Sequence, residues 1–100
     1  MTEIAVRDEA SADIANTYRF SVESFGESIA AEYMAGLDEA IGRLGNHPEM
    51  GRIDRGIVPP IRVLTYRSHR IYYDFDGTTV QIVRIFHHAM NAAARLQGRG

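Results

Sequence analysis

Three arginines in the second half of the sequence have the type and spacing to bind an anionic partner. Arg62, Arg70 and Arg84 lie in three separate β-rich runs, so neighbouring strands would align them as one basic strip across a sheet. The alternatives are unrelated surface arginines, or arginines that pair with Asp74 and Asp76. We favour the shared strip, and it predicts that an anionic partner binds across the sheet.

The histidines supply groups that titrate near neutrality. His69 and His87 could exchange protons at an ordinary pKa of about 6.5, but hydrogen bonds to neighbouring strands or to the C-terminal tail are the favoured role. His87 and His88 are adjacent at a strand end and should point in opposite directions, which makes them poor ligands for one metal ion. His47 follows the second predicted helix and would cap its negative end. Because the chain has no cysteine and no phosphate-binding glycine motif, we expect neither a metal nor a cofactor.

The two halves of the chain carry opposite charge. Residues 1–50 contain three arginines and ten acidic side chains, whereas residues 51–100 contain eight arginines and three acidic side chains, so the net charges are −7 and +5. The basic half suits an acidic protein segment or nucleic acid, and mutual neutralisation of the halves is the alternative. The length of 100 residues predicts one domain spanning residues 1–100. Without a signal-peptide pattern or a long apolar stretch, we expect a cytoplasmic protein with no membrane partner.

Apolar residues recur at helical spacing in the first half. Two stripes are predicted to face a shared third layer, the first comprising Ile14, Tyr18, Val22 and Phe25, and the second comprising Ile29, Tyr33, Leu37, Ile41 and Leu44. Gly26 is placed to end the first helix, and the Gly45-Asn46-His47-Pro48 segment ends the second. Because so short a connection forces two helices to lie antiparallel, we predict an αα-hairpin.

The rest of the pattern predicts a sheet. Residues 4–6 suggest a short first strand, residues 45–60 an ordered loop, and residues 61–66, 69–75 and 79–86 an antiparallel meander. The expected fold is therefore α+β, with an N-terminal strand and a helical hairpin packed on a three- to four-stranded antiparallel sheet. Four aromatic residues in the meander are predicted to be core rather than a nucleic-acid stacking platform: Tyr66, Tyr72, Tyr73 and Phe75.

The meander is apolar on both faces. Val83 and Ile85 are expected on one face, and Val80, Ile82 and Phe86 on the other. Since a two-layer protein exposes one sheet face, either residues 92–96 or a partner should cover it. Residues 97–100 are expected to form a frayed end.

Several short sequence motifs, here called phrases, follow one another in a fixed order from about residue 3 to residue 96. The phrases are Asp13-Ile14 with Tyr18 and Phe25-Gly26, Ala40-Ile41 with Leu44, His47-Pro48, Gly51-Arg52, Ile61-Arg62-Val63-Leu64, Ser68-His69-Arg70-Ile71-Tyr72-Tyr73, and Val83-Arg84-Ile85-Phe86-His87 followed by Met90. This ordered set resembles the ParE branch of the ParE/RelE toxin superfamily. One departure is Asn91, where the family usually has an aspartate after the methionine.

The resemblance implies the toxin of a type II toxin–antitoxin system. It would form a hetero-oligomer with a ParD-like antitoxin whose flexible acidic tail wraps it, and it would reach operator DNA only through that antitoxin. ParE-like members are associated with inhibition of DNA gyrase by binding rather than catalysis, which blocks replication. We expect Arg62, Arg70, Arg84 and His87 to contact the antitoxin or gyrase.

RelE-like members of the superfamily cut messenger RNA on the ribosome, and this is the alternative function. The resemblance then implies catalytic roles for Arg70, Arg84 and His87. The match is partial, because the C-terminal phrase has no tyrosine, the chain has no lysine, and Glu49 is shifted from the position of the general base. The departure at Asn91 leaves a third hypothesis, a degenerate non-toxic relative that only binds its antitoxin.

Overall fold

A five-stranded mixed sheet carries a helical hairpin on one face and a short helix on the other. The computed structural model describes residues 2–99. The elements in chain order are β1 (Glu3–Val6), α1 (Asp8–Phe25), α2 (Glu27–Arg43), β2 (Arg52–Asp54), β3 (Ile61–Tyr66), β4 (His69–Phe75), β5 (Thr79–His87) and α3 (Ala92–Leu96). The strand order is β1-β5-β4-β3-β2, in which β1 runs parallel to β5 and the other neighbours are antiparallel.

The predicted α+β fold and the antiparallel meander β3-β4-β5 are confirmed. The sheet differs from the prediction in having five strands, because β2 lies within the segment predicted as loop. With three residues, β2 is too short to show an alternating pattern in the sequence. The parallel pairing of β1 with β5 is allowed by the long connection between them, which contains both helices and the strands β2, β3 and β4.

Gly26 joins the two helices as predicted. Its φ of 89° lies in the left-handed region that favours glycine, and its N–H donates to the Val22 carbonyl over 2.9 Å. No helix within residues 2–99 combines the length and apolar character needed to span a bilayer.

The buried face of α1 differs from the predicted apolar stripe. It consists of small or polar residues, namely Ala10, Thr17 and Ser21. Of the predicted stripe, Tyr18 and Phe25 are exposed, and Ile29 of the α2 stripe is exposed as well. A helix that lies close against a sheet accommodates small side chains at the contact, so the large residues of α1 turn outward.

Two cores cover the two faces of the sheet. The larger core lies between the sheet and the helical hairpin, and the smaller one lies beneath α3. The prediction that residues 92–96 cover the second face is confirmed by the burial of Ala92 and Leu96. The four aromatic residues of the meander are also confirmed as core: Tyr72 and Tyr73 are buried, and Tyr66 and Phe75 are partly buried against the larger core.

The predicted division of β5 between the two faces was wrong at two residues, Ile85 and Phe86, each of which lies on the face opposite to the one expected. Tyr72 pairs with Arg84 and Tyr73 pairs with Ile82, so Val83 is an extra residue in a β-bulge. As a result Val83 lies in the core beneath α3, whereas Ile85 lies in the core beneath the hairpin.

The chain beyond α3 is held in place up to residue 99, so the predicted frayed end was wrong for residues 97–99; residue 100 lies outside the described part. The Gln97 side chain accepts a hydrogen bond from the Val58 N–H over 2.8 Å, and the Gly98 N–H donates to the Val58 carbonyl over 2.7 Å. The Arg99 guanidinium donates to the Pro60 carbonyl over 2.8 Å and to the Asp74 carboxylate over 3.2 Å.

Candidate functional site

A groove with exposed apolar walls runs between α1, the start of α2 and the ends of β4 and β5. We call it the α1 groove. Its lining includes Phe20, Phe25, Ile29, His69, His87 and Met90. Phe20 and Phe25 are each 61% exposed. A contiguous apolar surface of this kind marks a place where another molecule binds.

A hydrogen-bonded aromatic cluster forms the floor of the groove. The Tyr33 hydroxyl lies 2.7 Å from Nδ1 of His69, and the ring centroids of His69 and His87 lie 5.5 Å apart in an edge-to-face arrangement. Burial lowers the pKa of His69, and the neighbouring His87 and His88 lower it further. Burial also raises the pKa of Tyr33. Both groups are therefore uncharged at neutral pH, and a hydrogen bond joins the phenol to the imidazole.

His69 thus ties β4 to α2 rather than to a neighbouring strand. The prediction that His87 and His88 point in opposite directions was wrong, because their ring centroids lie 4.4 Å apart. His88 lies beyond the last residue of β5, where the alternation of a strand no longer applies. Within residues 2–99, no group of three or more histidine or acidic side chains is arranged to hold a metal ion. His47 donates to the Arg43 carbonyl through its backbone N–H over 2.9 Å.

One wall of the groove is fixed by an ion pair between α1 and β5. The Asp13 carboxylate accepts from Nε of Arg84 over 2.8 Å, from Nη2 of Arg84 over 3.0 Å, and from the Ile85 N–H over 2.9 Å. The hydrogen bond with Asp13 is the main reason why the pKa of Arg84 is raised. Sequence analysis named Arg84 but not Asp13 as a site residue. The carboxylate is placed to cap an N–H on the free edge of β5, beyond the end of β1.

Arg62 also forms hydrogen bonds and an ion pair within the protein. Its guanidinium donates to the Gly51 carbonyl over 2.9 Å and to the Glu49 carbonyl over 3.1 Å, and it lies 3.5 Å from the Glu49 carboxylate. These contacts secure the loop that leads into β2. The alternative, in which these arginines pair with Asp74 and Asp76, does not hold either: Asp74 binds Arg99, and Asp76 accepts from the turn N–H groups of residues 78 and 79.

The structure does not align the three arginines as a strip, so that prediction was wrong. Arg62 is paired with Tyr73 of the core beneath the hairpin, whereas Arg70 is paired with Phe86 of the core beneath α3. Residues paired across strands share a sheet face, so Arg62 and Arg70 lie on opposite faces. Arg84 lies at the bulge and reaches around the edge of β5 to Asp13.

The same topology separates the residues proposed for RNA cleavage. Arg70 lies on the α3 face, and His87 is paired with His69 on the hairpin face. Arg84 donates hydrogen bonds from its Nε and one terminal nitrogen to Asp13. General acid–base cleavage needs its proton donor, acceptor and cations around one phosphate, and these three side chains do not converge in that way.

The comparisons with known proteins agree with this fold. Residues 4–92 match the family described as the ParE toxin of the type II toxin–antitoxin system parDE. Toxin ParE1 of Caulobacter vibrioides is 33% identical over 87 residues, which cover 87% of this chain and 90% of that protein. Toxin ParE1 of Mycobacterium tuberculosis is 30% identical over 88 residues, with the same coverage of 87% and 90%.

A solved structure described as the chromosomal ParDE TA system from P. aeruginosa superimposes with a TM-score of 0.76. It is 24% identical, and the match covers 87% of this chain and 96% of that one, so it supports the fold. The family match and the sequence identities carry the assignment: the chain belongs to the ParE toxins of type II toxin–antitoxin systems.

Proposed function

We propose that this ParE toxin is neutralised by a ParD-like antitoxin bound in the α1 groove, and that the free toxin binds DNA gyrase in the cytoplasm and blocks replication. The observation that carries the antitoxin contact is the row of exposed apolar side chains along the groove. Phe20, Phe25 and Ile29 are each more than half exposed, and a contiguous apolar surface of this kind is typical of a site where another protein binds.

A positive charge at the rim of the groove also supports the ParD-like antitoxin as its occupant. Arg67 lies at the rim of the groove, in the turn between β3 and β4, and its guanidinium carbon lies 5.7 Å from the ring centroid of Tyr66. An antitoxin segment with apolar anchors and acidic flanks would bury the phenylalanines and bring carboxylates toward this rim. Operator DNA is then reached through the antitoxin.

The antitoxin contact is tested by a double substitution, Phe20→Ser with Phe25→Ser. Burying one phenylalanine stabilises a complex by about 1.5–3 kcal/mol, so losing two should weaken antitoxin binding by at least about 100-fold. Because both side chains are largely exposed in the free toxin, its melting temperature should change little. Titration calorimetry with the ParD-like antitoxin measures the affinity.

Val58→Ser is the matched control. Val58 is 60% exposed, it is apolar, and it lies in the loop before β3, outside the α1 groove. Its two hydrogen bonds use only backbone atoms. If Val58→Ser weakened the complex as much as the double substitution did, the antitoxin would not be using the groove.

The gyrase proposal has support from the family and from the geometry of the predicted residues. Arg62 and Arg84 are tied to the loop before β2 and to α1, so alanine at either position would perturb the fold first. Arg70 and His87 have no such ion pair within residues 2–99. We therefore infer that Arg70 and His87 are the members of the set that are available to contact gyrase.

Induction of the toxin without antitoxin, followed by parallel pulse-labelling of DNA and protein synthesis, tests the target. DNA synthesis should stop first, and purified toxin should trap gyrase on cut plasmid. Arg70→Ala with His87→Ala should reduce the trapping without lowering the melting temperature. A toxin that stops protein synthesis first, with messages cut within codons, would instead be a ribonuclease, and the gyrase proposal would be wrong.

The non-toxic alternative draws less support once the local structure of Asn91 is considered. The Asn91 side chain accepts a hydrogen bond from the Ala94 N–H over 3.2 Å and so caps α3. Asparagine and aspartate are about equally good at this position, so the replacement preserves the end of the chain. If cells grew normally while folded toxin was induced, the non-toxic alternative would be supported instead.

A further inference from the structure

One edge of the sheet ends in a strand whose outer side is unpaired. β2 (Arg52–Asp54) is the last strand in the sheet order, and within residues 2–99 no other segment forms a backbone hydrogen bond with its outer side. The opposite edge is partly closed by the chain itself. There the Thr2 N–H donates to the Gly45 carbonyl over 2.8 Å, and Asp13 caps the Ile85 N–H where β1 has ended. An open strand edge is a template on which a further strand can pair.

The side chains of β2 carry opposite charges on one face and an apolar group on the other. Arg52 is paired with Val63 of the core beneath α3, so its side chain leaves the sheet on that face. Asp54, two residues along the strand, shares that face, whereas Ile53 points to the other face and is 42% exposed. The Arg52 guanidinium comes no closer than 4.0 Å to the Asp54 carboxylate, and its side chain is 58% exposed. Its hydrogen-bond donors are therefore available to a partner.

This pattern of side chains is complementary to itself. If two copies of β2 pair antiparallel about a twofold axis at Ile53, Arg52 of each copy faces Asp54 of the other. The two Ile53 side chains then face each other. An axis at Arg52 or at Asp54 would instead set two like charges opposite each other, which is destabilising. Charge therefore favours the register centred on Ile53, in which each charge has an opposite one across the interface.

We propose that two copies of this chain form a dimer by antiparallel pairing of their β2 strands, which joins the two sheets into one. The occupant of the edge is a second copy rather than an unrelated strand because the charges of β2 match those of β2 itself. No residue of β2 lines the α1 groove, so the dimer leaves both grooves open. Dimerisation is a further property of the free toxin and depends neither on the antitoxin contact nor on gyrase.

Sedimentation velocity of the full-length toxin at increasing concentration measures the dimer. Three residues per strand make a small interface, so we expect a dissociation constant on the order of 10⁻⁴ M. Arg52→Glu sets two carboxylates opposite each other at both ends of the pairing, and Asp54→Lys sets two cations there. Each variant should raise the dissociation constant at least about tenfold, because two attractive pairs become repulsive.

An equimolar mixture of the two variants tests the register itself. In a mixed dimer the introduced glutamate faces the introduced lysine, and the native Asp54 of one chain faces the native Arg52 of the other. The mixture should therefore recover a dimer with an affinity within about threefold of that of the parent toxin. Melting temperatures show whether both variants are folded. If Asp54→Lys does not fold, the comparison of Arg52→Glu with the control below decides.

Arg55→Glu is the matched control, because it makes the same charge change one residue beyond β2. Arg55 is exposed and faces Gly51 of the other copy in this register, so the dissociation constant should stay within about twofold. An equal loss in Arg55→Glu and Arg52→Glu would mean that only net charge matters, and the pairing would be refuted. A toxin that stays monomeric at about 1 mM would also refute it. So would a mixture of folded variants that fails to recover the dimer.

Discussion

Replacement of Asp13 by alanine should destabilise the fold more than any loss of an exposed charge. The Asp13 carboxylate accepts three hydrogen bonds, two from Arg84 and one from the Ile85 N–H. The Asp13 side chain is 12% exposed and that of Arg84 is 21% exposed, so water replaces few of the lost contacts. The variant leaves a partly buried guanidinium and a strand N–H without their acceptor.

The expected cost follows from these contacts. Removing one partner of a buried ion pair costs about 3–5 kcal/mol, and partial exposure lowers that figure. We therefore expect the free energy of unfolding to fall by about 2–4 kcal/mol. For a domain of this size each kcal/mol lowers the melting temperature by about 4–8 °C, so the melting temperature should fall by at least about 8 °C. Asp13→Asn should cost less, because its amide oxygen still accepts from Ile85.

Urea denaturation followed by circular dichroism measures the loss. Glu9→Ala is the control, because Glu9 approaches the same guanidinium to 3.6 Å but is 73% exposed. An exposed pair of this kind contributes at most about 1 kcal/mol. A double-mutant cycle of Asp13→Ala with Arg84→Ala should give a coupling energy above about 1 kcal/mol. If Asp13→Ala lost no more stability than Glu9→Ala, the ion pair would not be what holds α1 to β5.

Two further predictions concern the contact between α2 and the sheet. A Cβ atom at Gly36 would overlap the Tyr66 hydroxyl, so Gly36→Ala should lower the free energy of unfolding by about 1–3 kcal/mol in urea titrations. Gly42→Ala, where a Cβ meets nothing within 4 Å, should be neutral or stabilising, and an equal loss there would refute the overlap. Because burial lowers the pKa of His69, the unfolded chain binds a proton there more readily, so stability should fall as the pH drops below about 6.5. His69→Gln should flatten this pH dependence between pH 5 and 8, and an unchanged slope would contradict it.

The elements themselves could be predicted from local sequence. The strands of the meander were placed within a residue, because alternating β-branched and aromatic residues are bounded by turn residues such as Gly77. Gly26 ended α1 for a reason visible in the sequence, since a left-handed residue is needed between two adjoining helices. The prediction that another segment covers the second face of the sheet followed from the apolar residues on both sides of the strands.

The site could not be predicted in the same way, because it depends on register. One extra residue at Val83 changes the face of every later residue in β5 relative to a regular strand. The pairing of β3 with β4 puts Arg62 and Arg70 on opposite faces, which no local pattern reveals. The partner of Arg84 is 71 residues away in the chain. Sequence analysis therefore found the arginines but not their arrangement.

The hydrogen bonds of Asp13 to β5 and the exposure of the aromatic residues of α1 have a common physical origin. For Asp13 to reach the Ile85 N–H over 2.9 Å, α1 must lie close to the edge of β5. That approach leaves room only for small side chains on the facing side of the helix, and Thr17 and Ser21 occupy it. The larger residues, among them Phe20 and Phe25, are consequently turned away from the sheet and remain exposed. The contact that fixes the helix therefore also creates the apolar wall to which we assign the antitoxin.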